Sequence, residues 1–334
     1  MTKKGPPQPR GAFFMQTPAG LPKMTLSDNS RGILFMCASM LAFTLNDTLM
    51  KAATQGMPTP GLPLSEAIFL RGLVATIGLL ILARATGNLR HLMPGRADLG
   101  PVALRTLAEV AATGAFLLAL MHMPLANLSA ILQSLPLAVT LAAAVFLKEP
   151  IGWRRLTAIA VGFVGMLIVI RPGGADFDRW SLLGLASVAC VVLRDLSTRR
   201  FSRDMPSVVP AIWASGAVAV MGGIGMVLYG AVPPPAVPLL ETSAAALFLI
   251  VGYMMAIMTM RVGDLGLVAP FRYTSLLWAV LLGWLLFGTL PDFWTFVGAA
   301  IVVASGLYML LRQRQARLSA GLRPVQVAGD GSSS

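Results

Sequence analysis

The sequence predicts an all-α membrane protein with ten transmembrane helices in two inverted five-helix repeats. Three observations carry that expectation. Apolar residues make up 56% of the 334 positions and charged ones 12%, too little polar surface for a water-soluble fold. The apolar residues fall into ten segments, each near the roughly 20 residues a helix needs to cross a hydrocarbon core. The basic residues alternate from loop to loop, which a soluble chain has no reason to do.

Read from turn to turn, the first five spans cover residues 32–50, 66–84, 102–122, 126–147 and 155–171. The other five cover 181–198, 207–229, 243–260, 266–288 and 293–311. Pro and Gly mark the breaks, as at Pro94-Gly95, Pro172-Gly173-Gly174 and Pro233–Pro235. The chain thus divides into a cytoplasmic arm over 1–31, five-helix units over 32–171 and 180–312, and a disordered cytoplasmic tail over 313–334.

The net charge of +12 is distributed by side. The termini and one set of loops hold nineteen Lys and Arg, among them Lys148, Arg154, Arg155, Arg199 and Arg200; the opposite loops hold only Lys51, Arg171 and Arg179. By the positive-inside rule both termini are expected to be cytoplasmic. A nucleic-acid partner is not expected, because a basic patch for it would not alternate loop by loop. Cys37 and Cys190 both lie within spans, so neither a disulfide framework nor a metal site is expected, and no cofactor is implied.

The halves resemble each other in order. A shift of 148 aligns Ala38, Ser39, Leu45, Asp47 and Lys51 with Ala186, Ser187, Leu193, Asp195 and Arg199. A shift of 141 aligns Pro150, Trp153 and Gly165 with Pro291, Trp294 and Gly306. With five spans per half, the second half enters the membrane from the opposite side, an arrangement found in alternating-access carriers. Ala158 with Gly162, and Ala300 with Ala304, sit at helical spacing, which suits close helix packing within one chain or in a homodimer.

Asn46-Asp47 with Lys51, the Lys148-Glu149-Pro150 turn and the Gly162–Gly165 pattern resemble the drug/metabolite transporter superfamily in its EamA-like branch. The likeness covers roughly residues 30–312. Asn46-Asp47, Ala175-Asp176-Phe177 and Ala269-Pro270-Phe271-Arg272-Tyr273 look like the pattern of S-adenosylmethionine uptake carriers. Riboflavin carriers and amino-acid exporters share that scaffold. Gly288-Thr289-Leu290-Pro291 replaces an acidic turn common there, so the resemblance carries no gate role to it.

Ionisable residues inside spans are the candidate sites. Asp47 lies near the outer end of the first span, and Asp195 near the inner end of the sixth; each reads as a gate acid or as a helix-end carboxylate in headgroup water. Asn46 bonds a neighbouring helix or a ligand. Arg71, on the same outer half as Asp47, is expected to pair with it, and the alternative is a substrate carboxylate held by the guanidinium fork. Arg105 and Glu109 share one face of the third span; Arg105 is shallow enough to snorkel, and Glu109 is the better proton relay. Arg194 is expected to point to a different face from Asp195. Arg272, between Pro270 and Tyr273, is expected to line the translocation cavity, where a midspan arginine in lipid is costly. Gln133 and Trp278 offer an amide and an aromatic face.

Together these features predict a secondary carrier that moves a small organic metabolite by alternating access, vitamin-like, cofactor-like or amino-acid-like, with S-adenosylmethionine or riboflavin as examples. An amino-acid or drug exporter is the alternative on the same scaffold. No Walker-type phosphate loop is present, which argues against a self-contained pump. An intramembrane enzyme would have only His91 and His122, both near loops, to work with.

Overall fold

A computed structural model describes residues 28–56, 60–148, 152–172, 178–202, 205–206, 208–262 and 268–321. These residues contain ten helical segments long and apolar enough to cross a bilayer. The helices are α1 Asp28–Gln55, α2 Leu64–Ala85, α3 Leu99–His122, α4 Leu125–Leu132, α5 Leu135–Phe146 and α6 Trp153–Ile170. They continue with α7 Trp180–Thr198, α8 Val208–Tyr229, α9 Ala236–Val262, α10 Thr274–Phe287 and α11 Phe293–Gly321.

Two expectations about the ends shift. Helix α1 starts at Asp28, inside the expected arm, and α11 runs on to Gly321, inside the expected tail. In α11 the good helix formers Leu, Arg, Gln and Ala carry the helix past its apolar stretch. The remainder of the arm and tail, the Glu149-Pro150 turn and Ala175-Asp176-Phe177 lie outside the described residues.

The fourth and ninth spans are interrupted. α4 stops at Leu132, Gln133 and Ser134 form a turn, and α5 opens with Pro136 in its first turn. Proline has no N–H to continue the ladder from α4. In the ninth span Pro270 lies in a 3-10 turn, Ala269–Tyr273, that runs into α10. The interruptions meet: Gln133 Nε2 donates to Ser275 Oγ at 2.8 Å.

The dominant helix contacts pair α1 with α9, α2 with α8, α3 with α7 and α6 with α11. Apolar side chains such as Ile81, Leu107, Leu247 and Leu285 cover the outside of the bundle, as a lipid-facing surface requires. Glycines set the closest approaches. A Cβ on Gly165 would lie 2.9 Å from the Gly298 carbonyl oxygen, and one on Gly298 would lie 3.0 Å from the Val169 nitrogen. Gly162 and Gly165 therefore serve packing of α6 on α11 within the chain, while Ala300 and Ala304 are exposed. Gly298→Val is expected to destabilise the protein by about 1–3 kcal/mol through overpacking, read as a lower Tm in detergent. Ala304→Val should leave Tm unchanged; equal shifts for the two would contradict this account.

Both ends of the bundle are tied. At the end opposite the basic loops, buried Lys51 donates from Nζ to Leu120 O at 2.9 Å and to Met123 O, satisfying carbonyls at the end of α3. His122 stacks on Trp180 with ring centroids 3.7 Å apart. At the basic end, Asp98 accepts from Ser202 N at 2.8 Å and from Ser202 Oγ at 2.6 Å, tying the start of α3 to the chain after α7. Those bonds hold the Asp98 carboxyl below its ordinary range, so the tie is present at neutral pH and is lost only as acid protonates it.

Candidate functional site

The polar side chains of the spans converge on a pocket walled by α2, α3, α8 and α9. Arg71 enters from α2, Arg105, Glu109 and Thr113 from α3, Ser215 from α8 and Tyr253 from α9. Helical geometry explains the convergence: Arg105, Glu109 and Thr113 recur every four residues and so form one stripe along α3. The antiparallel pair α2 and α8 approaches closely because a Cβ on Gly72 would lie 2.8 Å from the Ala219 nitrogen. Ala75 and Leu79 continue the lining along α2, so the guanidinium sits among small and apolar neighbours.

Charge inside the pocket is unevenly satisfied. Arg194 donates to Glu109 Oε2 at 3.2 Å and to Asp195 Oδ1 at 3.0 Å, so one guanidinium serves two carboxylates. This corrects the expectation that Arg194 and Asp195 face apart: their Cβ directions diverge along the helix, but the long arginine stem folds back to its neighbour. Arg105 donates to Pro210 O at 3.0 Å on α8 rather than to Glu109. Arg71 is only 7% exposed, and its Nε has no hydrogen-bond partner. Asp47 lies within electrostatic reach of Arg71, but its carboxylate accepts a bond from Asn46 Nδ2 at 2.8 Å. Asp47 and Arg71 are therefore electrostatic neighbours and not the direct ion pair expected from sequence. Asn46 Oδ1 is also buried without a partner. Buried polar atoms are normally satisfied, so these two are places where water or a ligand completes the bonding.

The other expected residues lie elsewhere. Gln133 is engaged by Ser275, at the crossing of the two interrupted spans. Tyr273 is buried with its hydroxyl against Gly306 of α11, and Trp278 is half-buried with an unpartnered Nε1. Arg272 is exposed, in the turn that precedes α10. None of these four lines the central pocket. Tyr253, which sequence reasoning did not single out, does line it and packs edge-on to Phe43 with centroids 5.3 Å apart. A signal for it was present: it is one of only four tyrosines and sits within a span, away from the interfacial belts where Tyr is common.

The pocket holds only about 50 Å³ of accessible space, against roughly 300–1,000 Å³ for small-molecule sites.

Residues 30–171 match the EamA-like transporter family. A riboflavin transporter of Vibrio cholerae is 27% identical over 82% of this chain and 91% of its own length. An S-adenosylmethionine uptake transporter of Rickettsia bellii is 24% identical over 58% of this chain and 66% of its own. A solved crystal structure superposes with a TM-score of 0.60 at 20% identity, over 86% of this chain and 99% of its own, which shows a shared fold. The matched family and these relatives are named for transport.

Proposed function

We propose that the protein is a secondary carrier of a bacterial inner membrane that moves a small organic metabolite by alternating access, with both termini cytoplasmic. The observation that carries this reading is the buried Arg71, without an ion-pair partner among the described residues, in a polar pocket walled by two helices from each half of the chain. Exchanging each span with the one five places on turns the α1–α9 pairing into α7–α3 and returns α2–α8 and α6–α11 to themselves, which supports two inverted five-helix units. The relatives' names favour a cofactor-like solute. Within that class, a zwitterion such as S-adenosylmethionine suits the mixture of Arg71, Arg105 and Glu109, with its carboxylate at Arg71 and its cationic groups toward Glu109. Riboflavin would require a stacking wall and several free amides, whereas Tyr253 is the one aromatic lining the pocket among the described residues, Gln133 is already bound and Trp278 lies outside it. Glu109 and Asp195, both on Arg194, are the coupling groups in this scheme, and Asp47 with Asn46 guards the other approach. Arg272 and Tyr273 belong to the approach at the head of the ninth span.

Uptake and efflux of a labelled panel of metabolites in proteoliposomes test this. One solute bearing an acidic group should move saturably and compete with its own analogues. A panel that moves no faster than in protein-free vesicles, with the protein correctly inserted, would remove the proposal.

A further inference from the structure

A second concavity, of about 610 Å³, opens between α5, α6 and α7, with Leu104 of α3 at its wall, and lies apart from the central pocket. All of its lining residues are apolar except Ser197 and Arg200, and these two lie together at the end of α7. The groove follows α5 from Ala138 to Leu147, roughly 14 Å at 1.5 Å per residue. That length is close to one leaflet's share, about 15 Å, of the hydrocarbon core.

The charge around its mouth selects the occupant. Arg200 lines the groove itself, and Lys148 after α5, Arg154 and Arg155 at the start of α6 and Arg199 after α7 stand at the ends of the helices that wall it, against Glu149 in the same stretch of sequence. Exposed Trp153 stands there too, with the Arg154 guanidinium 5.2 Å from its ring, as befits an aromatic at the headgroup level. A solute for the aqueous phase would meet no polar partner beyond the mouth. An amphiphile with an anionic head and one long apolar chain satisfies both parts of the site.

We infer that this groove holds one acyl chain of an anionic phospholipid, its phosphate against Arg200 and the basic helix ends beside it, in the leaflet that the basic loops assign to the cytoplasm. The second chain lies over exposed Val145 and Phe146. Because Val192 and Leu193 line the groove next to Arg194 on α7, the bound chain also braces the helix that supplies the central ion pairs.

Native mass spectrometry of the full-length protein in detergent tests this, with phosphatidylglycerol and phosphatidylcholine of identical chains as probes. The protein should retain one phosphatidylglycerol in preference to phosphatidylcholine. Arg200→Gln should reduce that preference about fivefold, the equivalent of roughly 1 kcal/mol for one basic residue at the surface. Ala189→Trp should fill the groove and remove the retained lipid; Val145→Trp, at an exposed wall position, provides a second test if Ala189→Trp does not fold. Equal retention of the two lipids overturns the inference. So does undiminished retention by a folded groove-filling variant, or a dimer that these variants abolish, which would give the groove to a second copy of the chain.

Discussion

Arg71→Ala is expected to abolish transport of the acidic substrate, and Arg71→Lys to reduce it by roughly tenfold or more. The guanidinium is buried, lines the pocket and has an unpartnered Nε, so a substrate anion is its best available complement. Lysine keeps the charge and loses the planar fork. A hydrogen bond to a charged group contributes about 1.5–3 kcal/mol, which corresponds to roughly ten- to a hundredfold in affinity. Alanine leaves a desolvated anion facing Glu109, with the remaining cations already committed, Arg105 to Pro210 and Arg194 to Glu109 and Asp195. The measurement is initial uptake rate and KM at matched protein density, with an analogue lacking the acidic group as control. That analogue should be indifferent to the substitution. Wild-type rate and KM in a correctly inserted Arg71→Ala protein would leave Arg71 as a structural neighbour of Asp47.

Arg194→Met should act on the fold before it acts on transport. A single guanidinium joins Glu109 of α3 to Asp195 of α7, and the α3–α7 pairing is among the main contacts of the bundle. Removing one partner of a buried pair costs about 3–5 kcal/mol. Here the lower figure applies, because Asp195 is partly exposed and remains hydrated. Glu109, the less exposed acid, carries most of the loss. Thermal stability in detergent should fall clearly in Arg194→Met and recover in part when Glu109→Gln is added, since the uncompensated charge is then gone. Strictly additive losses, or an unchanged Tm in the single variant, would show that the pair does not hold α3 to α7.

Most of the architecture was legible because a bilayer imposes a length and a polarity that composition records directly. The ten spans emerge within a few residues of their expected bounds, except that α9 starts at Ala236 and carries Pro238 in its first turn. A proline there needs no N–H partner, so its presence did not mark a helix end. The interruption of the fourth span was hidden for the opposite reason: two residues suffice for the turn, and the sequence around Gln133-Ser134 stays apolar throughout. Span-embedded Arg71, Arg105, Glu109 and Arg194 were identifiable from their cost in lipid alone. Their partners were not. A guanidinium reaches past its neighbours, so Arg194 meets Asp195 despite the angle between them, and Arg105 bonds a carbonyl of α8 that no side-chain pattern advertises. Lys51 was assigned to a loop by its charge, whereas its apolar stem lets it lie buried with the ammonium on two carbonyls of α3.

The turn at Gln133-Ser134 changes what has to move when the bundle opens. With the ladder broken there, α5 is a rigid arm of 12 residues, about 18 Å long, with its fulcrum at Ser134. A swing of roughly 10° would carry its far end through about 3 Å. Throughout, α4 would stay pinned by the Gln133–Ser275 bond and by the fully buried Leu125, Leu128 and Ile131. An unbroken helix would drive its two ends in opposite directions like a seesaw, disturbing the sealed side whenever the other side yielded. In the proposed alternating-access cycle, a short lever with a fixed pivot would let one end of the bundle gape while the other remains shut.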